Sequence, residues 1–139
     1  MRYVALDIGE RRVGVATGDS QVGIAFPQRT LDFGSRGVDA ETVAQAVRMH
    51  EAETIVIGLP LNTDGGETPH CQTIRQVAER LAELTGLEVM FRNEALTTVK
   101  AEGMMIEAGA SRKRRAASGD SVAAVVLLQE LLDELCRAT

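Results

Sequence analysis

No run in the sequence approaches the roughly 18 apolar residues a membrane-crossing helix needs, and no basic-then-apolar leader opens it. Cysteine is nearly absent. Cys71 and Cys136 lie far apart and in no C-x-x-C pair, which excludes a disulfide framework or a zinc ribbon. A reducing, cytoplasmic setting is expected. An excess of positive charge is also missing: 15 Lys and Arg face 20 Asp and Glu, for a net charge of -5. That excludes a grip on nucleic acid by bulk charge, so any such binding must be local. Thirteen of the basic residues are arginine, whose planar fork suits phosphate. No repeat and no break in composition marks a second domain. At 139 residues and 45% hydrophobic content, residues 1–139 can bury one core of their own.

The informative stretch is Tyr3-Val4-Ala5-Leu6-Asp7-Ile8-Gly9. A short continuous apolar run suits a strand covered on both faces. Asp7 then falls at the carboxyl end of that strand, where open α/β sheets place ligands. Taken alone, an Asp beside Gly is more often a turn former bonding its own backbone. After Glu10-Arg11-Arg12, the run Val13–Thr17 predicts the second arm of a hairpin. A third extended segment around Gln28 to Phe33 would complete an antiparallel meander.

Helical and strand patterns then alternate. Asp39 caps a helix with Val43, Ala46 and Val47 on one face. Thr54–Gly58 reads as a buried parallel strand, followed by the turn-rich loop 59–66. Thr68 and Pro69 open a helix that Gly86 ends. Leu87–Phe91 predicts another strand, and a further helix starts near Thr97 or Thr98 and runs to Ala108. The segment 109–118 has four positive charges and no apolar face, and is predicted to be a mobile loop. A final helix runs from Gly119, with Asp120 in its first turn, where a carboxylate suits the dipole. The predicted fold is α/β: a mixed five-stranded sheet, antiparallel meander plus parallel strands, flanked by helices. Right-handed crossovers would point the strands near 55 and 89 the same way as Asp7.

Three carboxylates stand out by position: Asp7 ends a strand, Glu94 follows one, and Asp120 opens a helix. Each has an ordinary role by itself: turn, surface charge or helix charge. Together they suit two hard divalent cations, Mg²⁺ or Mn²⁺, that clamp the attacking and leaving oxygens of a phosphodiester. Two carboxylates about 4 Å apart repel by roughly 4 kcal/mol at an effective dielectric of 20, so such a cluster wants a cation. His50 and His70 read as surface or helix-end residues rather than ligands. Asn62 and Asp64 read as turn formers, with a helper role in substrate binding as the alternative.

The blocks Asp7-Ile-Gly-Glu-Arg-Arg-Val-Gly-Val-Ala16, Ile55-Val-Ile-Gly-Leu-Pro-Leu-Asn-Thr-Asp-Gly65, Asn93-Glu-Ala-Leu-Thr-Thr98 and Gly119-Asp-Ser-Val-Ala-Ala124 occur in order. Together they resemble the YqgF/RuvX family of Holliday-junction-resolvase-like nucleases over nearly the whole chain. The resemblance implies an RNase H-like fold and a divalent-metal nuclease. Its expected reaction is 5′-end maturation of precursor 16S rRNA. By the same resemblance Asp7, Glu94 and Asp120 would be the catalytic metal ligands. Arg11 and Arg12 would steady substrate phosphates, and Arg112, Lys113, Arg114 and Arg115 would hold the backbone further out.

Two departures stand in the third block: Asn93 where the family usually has Asp, and Ala95 where it usually has Arg. They keep open a non-catalytic nucleic-acid-binding regulator on the same fold. A Holliday junction resolvase acting on branched DNA is the enzymatic alternative, and would favour a homodimer over a monomer. An actin-like ATP-binding fold would need a second domain.

Overall fold

The computed structural model describes residues 1–62, 64–93 and 112–137, with the side chains of 112–120 excepted. Strands β1 (Arg2–Ile8) and β2 (Arg12–Asp19) form an antiparallel hairpin in register from Arg2↔Asp19 to Ile8↔Val13. Tyr3–Leu6 and Val13–Ala16 are buried throughout, as continuous strands are when helices cover both faces.

Where one extended segment was expected around Gln28 to Phe33, two short strands stand: β3 (Ala25–Pro27) and β4 (Leu31–Asp32). Both pair with β2, so among the described residues the sheet has six strands where five were expected. The split has a tertiary cause. Gly9 N donates to Arg12 O at 2.8 Å, which by alternation turns the Val15 peptide groups to the outer edge of β2. The Val15 carbonyl accepts from Gln28 N at 2.8 Å. Its N–H goes instead to the hydroxyl of Ser121, 3.4 Å away on a distant helix. The chain leaves the ladder there and rejoins it at Leu31.

Helix α1 (Ala40–Met49) begins where expected, with the Asp39 carboxylate accepting from Glu41 N and Thr42 Oγ1. Strand β5 (Thr54–Leu59) pairs parallel to β1, Tyr3↔Thr54 to Leu6↔Ile57. Helix α2 (Pro69–Thr85) starts on Pro69 and ends on Gly86, whose φ of 71° is left-handed. Thr68 holds the cap position, but its hydroxyl meets Cys71 Sγ rather than a helix N–H. Strand β6 (Glu88–Asn93) pairs parallel to β5, giving the order β3-β2-β1-β5-β6, with β4 also on β2.

The last helix, α3 (Arg112–Arg137), is helical from Arg112, seven residues before the expected start at Gly119. Residues 112–118 are therefore not a loop. Arg, Lys and Ala are strong helix formers, and a helix nucleated by its anchored apolar half propagates cheaply through them. Residues 109–111 and the helix expected between Thr97 and Ala108 lie outside the described residues.

Alternation along β1 sorts the core into two layers. Val4, Leu6 and Ile8 join Val43 and Val47 of α1 and Ile74, Ala78 and Leu81 of α2. Tyr3 and Ala5 face the other way, against Ala124, Leu127, Leu128, Leu131 and Leu132 of α3. Gly18 is what lets α3 lie so close to β2. A Cβ there would stand 2.9 Å from Leu132 Cδ1 and 3.0 Å from the Ile24 carbonyl. Among the described residues no helix is long and apolar enough to cross a membrane.

Candidate active site at the carboxyl end of β1

Asp7 is the last residue of β1 on the α3 face, following Tyr3 and Ala5 by twos. It is half-buried and stands opposite Gly14 in the hairpin. The β1 side of the site is thus a carboxylate at a strand end, paired across the hairpin with a glycine.

Helix α3 runs antiparallel to β1 and brings the turn around Asp120 and Ser121 to that same end. Three contacts fix its direction. Ser121 sits against Val15, Gln28 and Thr30, near the hairpin turn. Leu128 and Leu132 lie over Gly18, nearer the opposite end. Gln129 donates to Gly23 O and accepts from Ala25 N, holding the middle of the helix on the β2–β3 turn. Asp120 immediately precedes Ser121, so its backbone lies beside the end of the sheet that carries Asp7. Its side chain is outside the described residues.

Ser121 is 3% exposed and bonds three ways. Its single hydrogen goes to Gln28 O at 3.0 Å, since a carbonyl only accepts. It then accepts from Val15 N at 3.4 Å and from Thr30 Oγ1 at 2.6 Å. No sequence signal marks this cluster, because Ser121 lies 91 or more residues from each of its partners.

Glu94 lies outside the described residues, but it follows Asn93, the last residue of β6, which stands opposite Leu59. The parallel pairing of β1, β5 and β6 turns all three carboxyl ends the same way, as expected. Arg92 fastens β6 to α3 by a bidentate pair with Glu134, 2.7 and 3.0 Å. The hydrogen bond from Arg92 holds the Glu134 carboxyl below its ordinary range, and the same bond raises Arg92.

Arg11 and Arg12 are exposed in the hairpin turn next to Asp7. The Arg11 carbonyl accepts from Phe33 N at 2.8 Å, so the turn is braced by the segment after β4. Arg112, Lys113, Arg114 and Arg115 open the described part of α3, the end shared with Asp120. Asp64 acts as a turn former: its carboxylate accepts from Gly66 N at 2.8 Å, while Asn62 N bonds Gly66 O. His50 caps the end of α1. His70, expected at a helix end, is there, but its ring also reaches the Ile8 carbonyl at 2.9 Å. No spacing rule could have shown that contact.

Among the described residues no three His, Cys, Asp or Glu side chains converge on a metal-sized site. Asp7 is the described member of the expected triad. Asp120, expected in the first turn of the last helix, lies instead within α3, which is helical from Arg112. A half-buried carboxylate at a strand end, beside a helix turn that carries an Asp, is a hard-oxygen donor set suited to Mg²⁺ or Mn²⁺. A cavity of about 840 Å³ between Gln28–Val38 and α1 does not include Asp7. Its charged lining mixes Arg29 and Arg36 with Asp32, Asp39 and Glu41, so it offers no net attraction for phosphate.

The RuvX family, described as Holliday junction resolvase, matches residues 1–134. A Ruegeria pomeroyi protein named "Putative pre-16S rRNA nuclease" is 42% identical over 130 residues, 94% of this chain and 84% of its own length. A Rhodobacter capsulatus protein of the same name is 43% identical over 130 residues, 94% of this chain and 82% of its own. Among solved structures, Thermus thermophilus RuvC in complex with a Holliday junction superposes with a TM-score of 0.58 at 11% identity, over 96% of this chain and 94% of that one. The fowlpox virus Holliday junction resolvase gives 0.61 at 13%, over 97% and 99%. These two show the fold, a resolvase-type RNase H-like sheet. On the family match and the identities to its relatives, the chain belongs to the RuvX family.

Proposed function

We propose that the protein is a divalent-metal-dependent nuclease that hydrolyses phosphodiester bonds in structured RNA, and that its reaction is 5′-end maturation of precursor 16S rRNA. One observation carries the reading: the strand end bearing Asp7 and the turn of α3 that contains Asp120 and Ser121 lie on one face of the sheet. The substrate class follows the names of relatives at 42 and 43% identity.

In this reading Asp7, Asp120 and Glu94 hold Mg²⁺ or Mn²⁺ as a two-metal site. When bound, such ions stabilise the attacking and leaving oxygens of an in-line displacement. The chain's own part is placement. The hairpin fixes Asp7, the Ser121 cluster fixes the turn of α3 next to Asp120, and Arg92–Glu134 ties β6 to that helix. Arg11 and Arg12 flank Asp7 and contact the phosphates next to the scissile bond. Arg112, Lys113, Arg114 and Arg115 take the backbone further out. Four consecutive cations on α3, on the side of Asp120 away from its anchored apolar half, suit a phosphate ligand.

The test uses wild type and Asp7→Asn with a labelled precursor rRNA fragment and a labelled four-way DNA junction, in Mg²⁺, Mn²⁺ or chelator. Metal-dependent cleavage of the RNA, lost in Asp7→Asn, is the expected result. Preferential cutting of the junction would make the protein a resolvase instead. Equal binding of both substrates by both proteins, with no cutting, would leave a nucleic-acid-binding regulator.

A further inference from the structure

We infer that His70 is a positioning residue for the Asp7 corner, an inference that rests on the nuclease reading. The hairpin and the parallel ladder do not end together. β1 stays paired with β2 through Ile8↔Val13, but its ladder with β5 stops at Leu6↔Ile57. Gly9 N bonds Arg12 O, so by alternation the Ile8 peptide groups point away from β2, toward β5. Continuing the parallel register places Leu59 opposite Ile8. The N–H that would then serve the Ile8 carbonyl belongs to the following residue, which is Pro60 and has none.

His70 supplies the missing donor. Its Nε2 lies 2.9 Å from Ile8 O, and because a carbonyl only accepts, Nε2 carries the hydrogen. The ring is delivered by the start of α2, where Pro69 is the first residue and Cys71 Sγ reaches Pro60 O at 3.7 Å. The same few residues that deprive β1 of its next rung thus replace it with a side chain.

The consequence falls on Asp7. On the β2 side its peptide is held by the hairpin; on the β5 side the first bond beyond Leu6 is His70 to Ile8. Removing the ring takes away that tie at the residue next to Asp7. Metal-binding carboxylates tolerate displacements of only about 0.5 Å before the site weakens. A cavity of about 410 Å³ lined by Ile8, Gly9, Glu10 and His70 lies beside the ring, so a glutamine amide has room to reach the same carbonyl.

The experiment compares wild type, His70→Ala and His70→Gln. It measures Mn²⁺ affinity by electron paramagnetic resonance, kcat and KM on the precursor rRNA fragment, and thermal midpoints. Loss of a partner that orients a ligand typically costs about 10–100-fold in metal affinity or activity. His70→Ala should therefore lose about tenfold in kcat and in Mn²⁺ affinity with KM little changed, and His70→Gln should recover most of both. A lowered midpoint with unchanged kcat and affinity would make the bond merely structural and overturn the inference. Equal losses in Ala and Gln would overturn it too. If wild type shows the His70-dependent Mn²⁺ affinity but cuts no nucleic acid, the nuclease reading fails and the positioning role stands.

Discussion

Thr30 Oγ1 and Ser121 Oγ lie 2.6 Å apart, joining the gap between β3 and β4 to the helix residue that follows Asp120. Ser121→Ala strands the Val15 N–H and the Gln28 carbonyl. Leaving buried polar groups unpaired costs about 1–3 kcal/mol. Thermal unfolding should show a midpoint lower by several degrees. Cleavage should fall further than stability does, because the part of α3 beside Asp120 loses its anchor to β2. Equal activity per folded molecule in wild type and variant would contradict this.

The four cations at the start of α3 make a prediction in salt. Replacing Arg112, Lys113, Arg114 and Arg115 with Gln should weaken RNA binding and flatten its dependence on salt. Each phosphate contact contributes about 0.7–0.9 to the slope of log affinity against log salt, so losing all four removes up to about 3.6. Titrations at several salt concentrations measure this directly. An unchanged slope would remove these residues from the interface.

Arg92 and Glu134 make a prediction in pH. The folded Glu134 carboxyl titrates below its ordinary range because Arg92 donates to it. Its contribution to stability is therefore present above the unfolded value, about 4.3, and is lost as pH falls through the lower folded value. Asp39, held low chiefly by its bonds with Glu41 and Thr42, acts in the same direction. Denaturant unfolding of wild type between pH 6 and 3 should show stability falling with acid. Glu134→Gln should start lower and lose less over that range.

Gly18 makes a prediction about packing. In Gly18→Ala the new methyl meets Leu132 and the Ile24 carbonyl. Overpacking of this kind costs about 1–3 kcal/mol. The variant should unfold at lower denaturant while its metal dependence is unchanged, since the contact lies at the end of β2 away from Asp7.

The sequence by itself determined the elements whose causes are local. Asp39, Pro69 and Gly86 set helix ends through hydrogen bonds and dihedral angles within a few residues. The continuous apolar runs of β1 and β5 announced strands covered on both faces. The blocks around Asp7, Ile55, Asn93 and Asp120 carried the family resemblance. What only the tertiary structure decided depends on residues far apart in the chain. The break between β3 and β4 follows from a serine on a distant helix. The early start of α3 follows from propagation out of a half anchored against β1 and β2. His70 gained its role because Pro60 lacks an N–H where the ladder between β1 and β5 stops. Hydrogen bonds between distant residues leave no periodicity in a sequence, so folding alone could bring these groups to the corner that holds Asp7.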